Sequence, residues 1–290
     1  MLLTLSALWG ASYLFIKVAV NEIEPIPMIE LRLLLAGAVL LTFLVARMGR
    51  REAVAALRAT GRNGVVLGVL NGAIPFTLIA WGEKHVDSGI AAIANASVPI
   101  FVALLAIRYL PGERVTGMRL AGVGVLAGFH PEGGWWAVAG TLAVVVASLS
   151  YAGSNLFTQR RFSETAPLVT ATAAVIWGAV VLLPLSLFQI PDQVPSAKAL
   201  GSVAALGILG TAVASIILYR MLMAYGSSRT TLVTYLLPPF ALFYGVTLLD
   251  ERLTANAVLG LVLILGGVAL GAGLSLTRRS RDALAATQRP

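Results

Sequence analysis

The chain has 290 residues, of which 58% are hydrophobic and only 12% are charged, and its net charge is +8. Soluble globular chains carry about 25% charged residues, so this composition excludes a soluble fold and predicts an integral membrane protein. The absence of cysteine excludes disulfides and thiolate metal sites. The positive charge does not indicate nucleic-acid binding, because no basic soluble domain exists to carry it.

Apolar runs of the length of a membrane helix follow one another along the whole chain. They predict an all-α membrane protein with ten transmembrane helices. The expected segments are 2–20, 28–46, 64–82, 88–108, 115–129, 134–157, 167–188, 200–222, 229–249 and 255–276.

The basic residues are distributed unevenly between the predicted loops. Most of the 21 lysines and arginines fall in alternate loops, whereas Lys84, Lys198 and Arg252 fall on the opposite side with acidic residues that include Glu83. Positive charge marks the cytoplasmic side of a membrane protein. The pattern therefore predicts a multi-pass protein of the bacterial inner membrane with both termini in the cytoplasm and a basic cytoplasmic tail, 277–290.

Two halves of the chain repeat each other. The stretch "LWGASYLF", Leu8–Phe15, aligns with "SYAGSNLF", Ser150–Phe157, at an offset of 142. The stretch "AIPFTLIAW" from Ala73 aligns with "AVASIILYR" from Ala212 at an offset of 139. The predicted units are 1–130 and 131–276. Because five helices per unit is an odd number, the two units would be inverted relative to each other, as in many transporters.

The paired phrases "NASVPIFVALLAIRYLPGERVT" and "LLPPFALFYGVTLLDERLT", with the first-helix "WG-S", resemble the EamA-type drug/metabolite transporters over essentially the whole chain. Asp250 stands where the family usually has glycine. The resemblance implies a secondary transporter that exports small metabolites, and it points to bacterial exporters of amino acids, including aromatic ones. Alternating access would take place at a central cavity between the halves.

Prolines predict kinks in the helices, and small residues predict close packing between helices. Proline inside a membrane helix frees a backbone carbonyl and kinks the chain. The predicted kinks, either gates or static bends, are at Pro75, Pro99, Pro238 and Pro239. The glycine pairs Gly124/Gly128 and Gly267/Gly271 are expected to allow close packing of the fifth and tenth helices, within a monomer or at a homodimer face.

Polar and aromatic side chains near the middle of the spans are the candidates for binding a small-molecule substrate. Amides and hydroxyls can bind ammonium and carboxylate groups, and aromatic faces can hold a side chain or a cation. The predicted substrate-binding residues are Trp9, Ser12, Tyr13, Asn71, Trp81, Asn95, Tyr151, Asn155, Trp177, Tyr219 and Tyr235.

Few charges fall within the spans. Glu30 and Arg32 are expected to have structural or rim roles near the outer end of the second helix, although Arg32 could also turn inward and pair with a carboxylate. Lys17 is expected to extend toward the headgroups from the outer end of the first helix. Proton-driven transporters usually bury a carboxylate or a histidine relay in the membrane. No such residue stands out near the middle of the spans, which favours facilitated transport or coupling to something other than protons.

Other classes of function fit the sequence less well. The spans pair no nucleophile with a base, the two histidines are too distant to form a metal site, and no phosphate-binding loop is present. An enzyme, a bound metal and a cofactor are therefore not expected. A drug or organic-cation exporter and a channel-like conduit of the same fold remain as alternatives.

Overall fold

The computed structural model describes residues 1–109, 134–191, 193–254 and 257–262. Every regular element among these residues is helical. Six of the helices are long and apolar enough to cross a membrane, and two shorter apolar helices accompany them. The fifth predicted segment with Gly124 and Gly128, most of the tenth with Gly267 and Gly271, and the tail 277–290 lie outside the described residues.

The first half of the fold consists of helices that begin after proline or after short turns. Glu24 precedes the helix that starts at Pro25, where the missing N–H of proline is no loss. The helices are α1 Leu2–Ala19, α2 Pro25–Met48, α3 Arg50–Gly68, α4 Ile74–Glu83, α5 Ser88–Asn95 and α6 Val98–Tyr109.

The second half is also built of helices, some of which begin at proline or at a capping serine. Pro167 begins a helix as Pro25 does, and Ser196 caps another by accepting a hydrogen bond from the backbone N–H of Ala199. The helices are α7 Gly134–Arg161, α8 Pro167–Ser186, α9 Ala197–Gly207, α10 Ala214–Tyr225, α11 Ser227–Thr230 and α12 Val233–Leu248.

The predicted segments match the helices closely, with two corrections. The arginine-rich stretch 50–62, expected to be a loop, is the start of a helical stretch that continues to Glu83. That stretch changes direction at Gly61, whose φ of 46° is accessible to glycine. The fourth and ninth segments are each divided, because a turn at Ala96 and Ser97 separates α5 from α6 and a turn at Thr231 and Leu232 precedes Val233.

A π-helical segment interrupts each half at matching positions. Val69–Ala73 joins α3 to α4, and Ile208–Val213 joins α9 to α10. The first residues of these segments are 139 apart, which is the offset of the sequence repeat. Single π-helical turns inside longer helices often mark functional sites.

The carbonyls that two prolines free are hydrogen-bonded by serines of α7. Pro75 has no N–H to continue the π-helical pattern toward Leu70, and Ser150 Oγ donates to the Leu70 carbonyl at 2.8 Å. Pro99 likewise leaves the Asn95 carbonyl without a backbone donor, and Ser148 Oγ lies 3.4 Å from it and shares its one proton with Asn95 Oδ1 and the Val144 carbonyl. These prolines are therefore accommodated by packing between helices. Helix α12, by contrast, continues unbroken through Pro238 and Pro239.

The helices pack in pairs that correspond between the two halves. Helix α1 packs against α12 and α9, and α7 packs against α5, α6 and α4. Helices α2 and α8 pack against each other at the centre. Helices α3 and α8 cross closely at Gly68 and Gly178, where a Cβ on Gly68 would collide with the backbone nitrogen of Gly178.

Candidate functional site

A cavity of about 640 Å³, including its open side, lies between α1, the α3–α4 junction, α7 and α12. Its wall combines apolar and aromatic side chains with amides, hydroxyls and one arginine, a composition typical of small-molecule sites. The lining residues are Trp9, Ser12, Tyr13, Ile16, Arg32, Asn71, Phe76, Ile79, Asn95, Val98, Tyr151, Asn155, Leu218, Thr230, Thr231, Val233, Thr234 and Leu237.

Most residues predicted from the sequence to bind substrate meet at this cavity. Those in its lining come from helices far apart in the chain, and the structure brings them together. They are Trp9, Ser12, Tyr13, Asn71, Asn95, Tyr151 and Asn155.

The other four predicted residues lie outside the lining. Trp177 donates a hydrogen bond of 3.0 Å to Thr60 and joins α8 to α3. Trp81 packs against His85, with ring centroids 4.7 Å apart, at the end of α4. Tyr219 and Tyr235 each follow a lining residue, Leu218 and Thr234, and one residue turns a helix by about 100°.

Two asparagines in the cavity wall are held by serines of α7. Ser148 Oγ donates to Asn95 Oδ1 at 3.0 Å, and Ser154 Oγ donates to Asn71 Oδ1 at 3.3 Å. The serines thereby occupy the amide oxygens, and Asn95 is also hydrogen-bonded to Tyr13, so the remaining amide N–H groups are the donors near the cavity. Serines of helix α7 therefore donate hydrogen bonds to the carbonyls that the prolines leave free and also orient the asparagine side chains of the cavity wall.

Arg32 is the main lining residue that the sequence analysis assigned elsewhere. Its side chain is buried rather than at the rim. Its Nε donates to Thr211 Oγ1 at 2.7 Å, and its guanidinium carbon lies 3.8 Å from the centre of the Phe76 ring. No carboxylate of the described residues forms an ion pair with it. The cavity wall therefore contains a buried cation that forms no salt bridge within the described part of the chain.

Glu83 is a second buried charge that the sequence analysis misplaced, because it stands beside Lys84 in an apparent loop. It is the last residue of α4 and is 0% exposed, and neither carboxylate oxygen has a hydrogen-bond partner among the described residues. A carboxylate is therefore buried at the end of a span, where the sequence indicated a loop.

Lys17 is not extended toward the headgroups as expected. Its ammonium group donates to the backbone carbonyls of Glu83 at 2.8 Å and Val86 at 2.7 Å. It also lines a second pocket of about 610 Å³, the Lys17 pocket, which is formed with Val18, Asn21, Glu22, Lys198, Leu249 and Glu251.

The chain matches the model of the EamA-like transporter family over residues 1–128 and 138–272. It belongs to that family. Similar curated proteins include the "Uncharacterized transporter YoaV" of Bacillus subtilis strain 168, 27% identical over 92% of this chain and 94% of that protein. The "Probable amino-acid metabolite efflux pump" of Escherichia coli K12 is 27% identical over 90% of this chain and 89% of that protein.

A further relative agrees with this membership, and a solved structure agrees with the fold. The "Probable terminal-alkyne amino-acid exporter" of Streptantibioticus cattleyicolor is 31% identical over 70% of each chain. A solved crystal structure matches this EamA-like transporter with a TM-score of 0.69 over 93% of this chain and 94% of the other, at 21% identity. That likeness supports the fold.

Hydrogen bonds between connections close one end of this EamA-like transporter, which we call the Lys17 end. The Glu22 carboxylate accepts from the Ser196 N–H and the Ser196 hydroxyl, both at 2.6 Å. These two bonds lower the pKa of the exposed Glu22 carboxyl below its ordinary value. Ser88 donates in the same way to Glu251, from its N–H at 2.9 Å and its hydroxyl at 2.7 Å.

Proposed function

We propose that this EamA-like transporter exports amino acids, including aromatic ones, from the cytoplasm by alternating access at the central cavity. Arg32 carries the proposal. A buried guanidinium that forms no salt bridge with any described carboxylate suits a solute that brings its own carboxylate, which it can bind through paired N–H donors. The names of two relatives, an amino-acid metabolite efflux pump and an amino-acid exporter, agree with this chemistry.

The remaining wall of the cavity fits the rest of an amino acid. The amide nitrogens of Asn71 and Asn95 add donors near Arg32. Trp9, Tyr13 and Tyr151 present aromatic surface on which an apolar or aromatic side chain can pack. An organic cation would place its charge close to Arg32, and this repulsion disfavours the drug-exporter alternative.

The proposed transport cycle uses ten membrane helices in two inverted five-helix units, 1–130 and 131–276. The matching π-helical segments and the corresponding helix pairs support such a repeat. In the proposed orientation both termini are cytoplasmic, so the Lys17 end faces outward. Rocking of one unit against the other would open the cavity alternately to each side.

The experiment is solute counterflow in proteoliposomes with three related compounds. Phenylalanine carries both charged groups, phenethylamine lacks the carboxylate, and phenylpropionate lacks the ammonium. Unlabelled compound inside should drive transient accumulation of labelled phenylalanine, and phenethylamine should compete poorly. Equal or better counterflow of phenethylamine would contradict the proposal and favour an organic-cation exporter.

A further inference from the structure

Glu83 lies in the layer that separates the central cavity from the Lys17 pocket. Ile79, one helical turn before Glu83, lines the cavity. Lys17, whose ammonium group binds the Glu83 carbonyl, lines the other pocket. On α1 the boundary between the central cavity and the Lys17 pocket falls between two neighbouring residues. Ile16 lines the cavity, and Lys17 lines the Lys17 pocket. Glu83 is therefore buried between the two spaces that alternating access would open in turn.

The surroundings of Glu83 differ from those of a structural carboxylate. Glu251 nearby accepts two hydrogen bonds from Ser88, as a carboxylate that holds two segments together does. The Glu83 carboxylate oxygens accept none from the described residues. Lys17 does not compensate for this, because it donates to backbone carbonyls instead. A buried ionised carboxylate without donors is costly, and a bound proton removes that cost.

The charged groups around Glu83 come from several elements. Lys17 faces it from α1, Arg32 from α2 and Glu251 from the segment after α12. Lys84 and His85 directly follow Glu83 in the sequence. Lys84 forms a salt bridge with Glu24 at 2.8 Å, and His85 stacks with Trp136. Helix α7 presents Gly140 and Val144 to the adjacent Gly82 and brings no charge to that contact. The two cations that act on Glu83 each line one of the two spaces that alternating access would open: Arg32 lines the central cavity and Lys17 lines the Lys17 pocket.

We propose that Glu83 is the proton-binding site that couples export of the solute to proton entry. This rests on the transport function proposed above. When the Lys17 end opens, α1 and Glu251 move away from the junction of α4 and α5, and outer water reaches the carboxylate. Glu83 carboxylate then takes a proton from hydronium and leaves water. When the other side opens, water in the cavity accepts the proton, and the carboxylate forms again near Arg32 and Lys17. One proton enters for each solute that leaves.

A second buried carboxylate provides a matched control. Glu30 of α2 is 3% exposed, and its oxygens also lack partners among the described residues. Like Glu83 it lines neither pocket, but no hydrogen bond joins it to a described residue that lines the Lys17 pocket. Burial alone would make Glu30 and Glu83 equivalent, whereas the proposed coupling assigns the role to Glu83 because it lies between the two spaces.

The test compares transport with and without a pH gradient in proteoliposomes clamped at zero voltage, with labelled phenylalanine as the probe. Inside-out vesicles should accumulate phenylalanine against its gradient when the lumen is acidic, up to about tenfold for a gradient of about one pH unit. In Glu83→Gln the ratio of uptake with and without the gradient should fall to about one, and Glu83→Asp should restore part of it. Glu30→Gln should keep the wild-type ratio.

The outcomes separate this proposal from the transport function. Wild-type counterflow with no response to the pH gradient, or an unchanged ratio in Glu83→Gln, would overturn the coupling role and leave the transport function intact. Absence of counterflow in the wild type would overturn the transport function. Infrared spectra, which require no solute, then test whether Glu83 binds a proton. The carbonyl stretch of a buried protonated carboxylic acid should vanish in Glu83→Gln and change with external pH, and its absence from the wild type would overturn the proposal.

Discussion

The guanidinium of Arg32 lies 3.8 Å above the ring of Phe76, inside the wall of the central cavity. This contact joins α2 to the first turn of α4, directly after the π-helical segment Val69–Ala73. Thr211, in the π-helical segment of the other half, accepts a hydrogen bond from the same arginine. Arg32 therefore connects one π-helical segment, through Thr211, to the helix that follows the other, through Phe76, at the proposed substrate site.

Arg32→Gln should weaken binding of phenylalanine by about tenfold to a hundredfold, because a hydrogen bond to a charged group contributes about 1.5–3 kcal/mol. The measurement is the concentration of unlabelled phenylalanine that halves counterflow of the labelled compound. Arg47 is the matched control, since its guanidinium also lies over a ring, that of Phe43 at 5.9 Å, but far from the cavity lining. A similar loss in Arg47→Gln, or none in Arg32→Gln, would contradict the role of Arg32.

Asn95→Ala should also reduce flux, because it removes an amide that lines the cavity and that Ser148 holds in place. The side chain of Tyr235 is outside the lining, so Tyr235→Ala should reduce flux less than Asn95→Ala does. Initial counterflow rates, normalised to the amount of folded protein in the liposomes, provide the comparison. The reverse order would show that the binding site extends beyond this cavity.

Ser150→Ala should destabilise the protein by about 1 kcal/mol, because the Leu70 carbonyl that Pro75 leaves free would lose its donor. In a Pro75→Ala background the same change should matter less, since the new N–H can donate to that carbonyl. Thermal unfolding in detergent of the two single variants and the double variant measures this coupling. Thr141→Ala serves as the control, because Thr141 donates to a carbonyl within its own helix. Additive effects of the two changes would contradict the account.

Gly68→Ala should destabilise the protein by about 1–3 kcal/mol, because the added methyl group would collide with the backbone of Gly178 where α3 and α8 cross. Gly153→Ala, at a glycine with no atom within 4 Å of the added carbon, should be tolerated. The two midpoints of thermal unfolding should therefore differ clearly, and equal midpoints would argue against close packing at this crossing.

The stability of the Lys17 end should depend on pH through Glu22. Because the folded-state pKa of Glu22 is lowered, its contribution is complete above the ordinary value of 4.5 and is lost as the pH falls through the lowered folded value. Glu22→Gln should therefore reduce the loss of thermal stability on acidification. Glu164→Gln, at an exposed position in the connection before α8, should behave like the wild type. Identical acid profiles for all three proteins would contradict this assignment.

The sequence predicted the spans well where apolar residues run without interruption, as in α1, α2 and α8. It misread 50–62 because arginines dominate that stretch, although their spacing also allows a helix. The positions of the π-helical segments depend on tertiary contacts such as the one between Ser150 and Leu70, which no local pattern contains. The repeat offset could have located the second segment once the first was known.

The candidate site was predictable where polar residues interrupt apolar helices, as Asn71 and Asn95 do. Arg32 and Glu83 were assigned to the rim and to a loop because each lies near an end of an apolar run. Their burial results from neighbours that are distant in sequence, Thr211 for Arg32 and Lys17 for Glu83. Whether a charged residue near the end of a membrane segment is buried or exposed therefore could not be predicted without the tertiary structure.

Counterflow of phenylalanine by the purified wild-type protein tests the central claim most directly. Proteoliposomes loaded with unlabelled phenylalanine, with no ion gradient or voltage, should accumulate labelled phenylalanine transiently above its external concentration, because a carrier exchanges one solute for another at a single site. Empty liposomes should show no such overshoot. Simple equilibration of the label without an overshoot, accompanied by an ohmic current, would contradict alternating access and indicate a channel-like conduit.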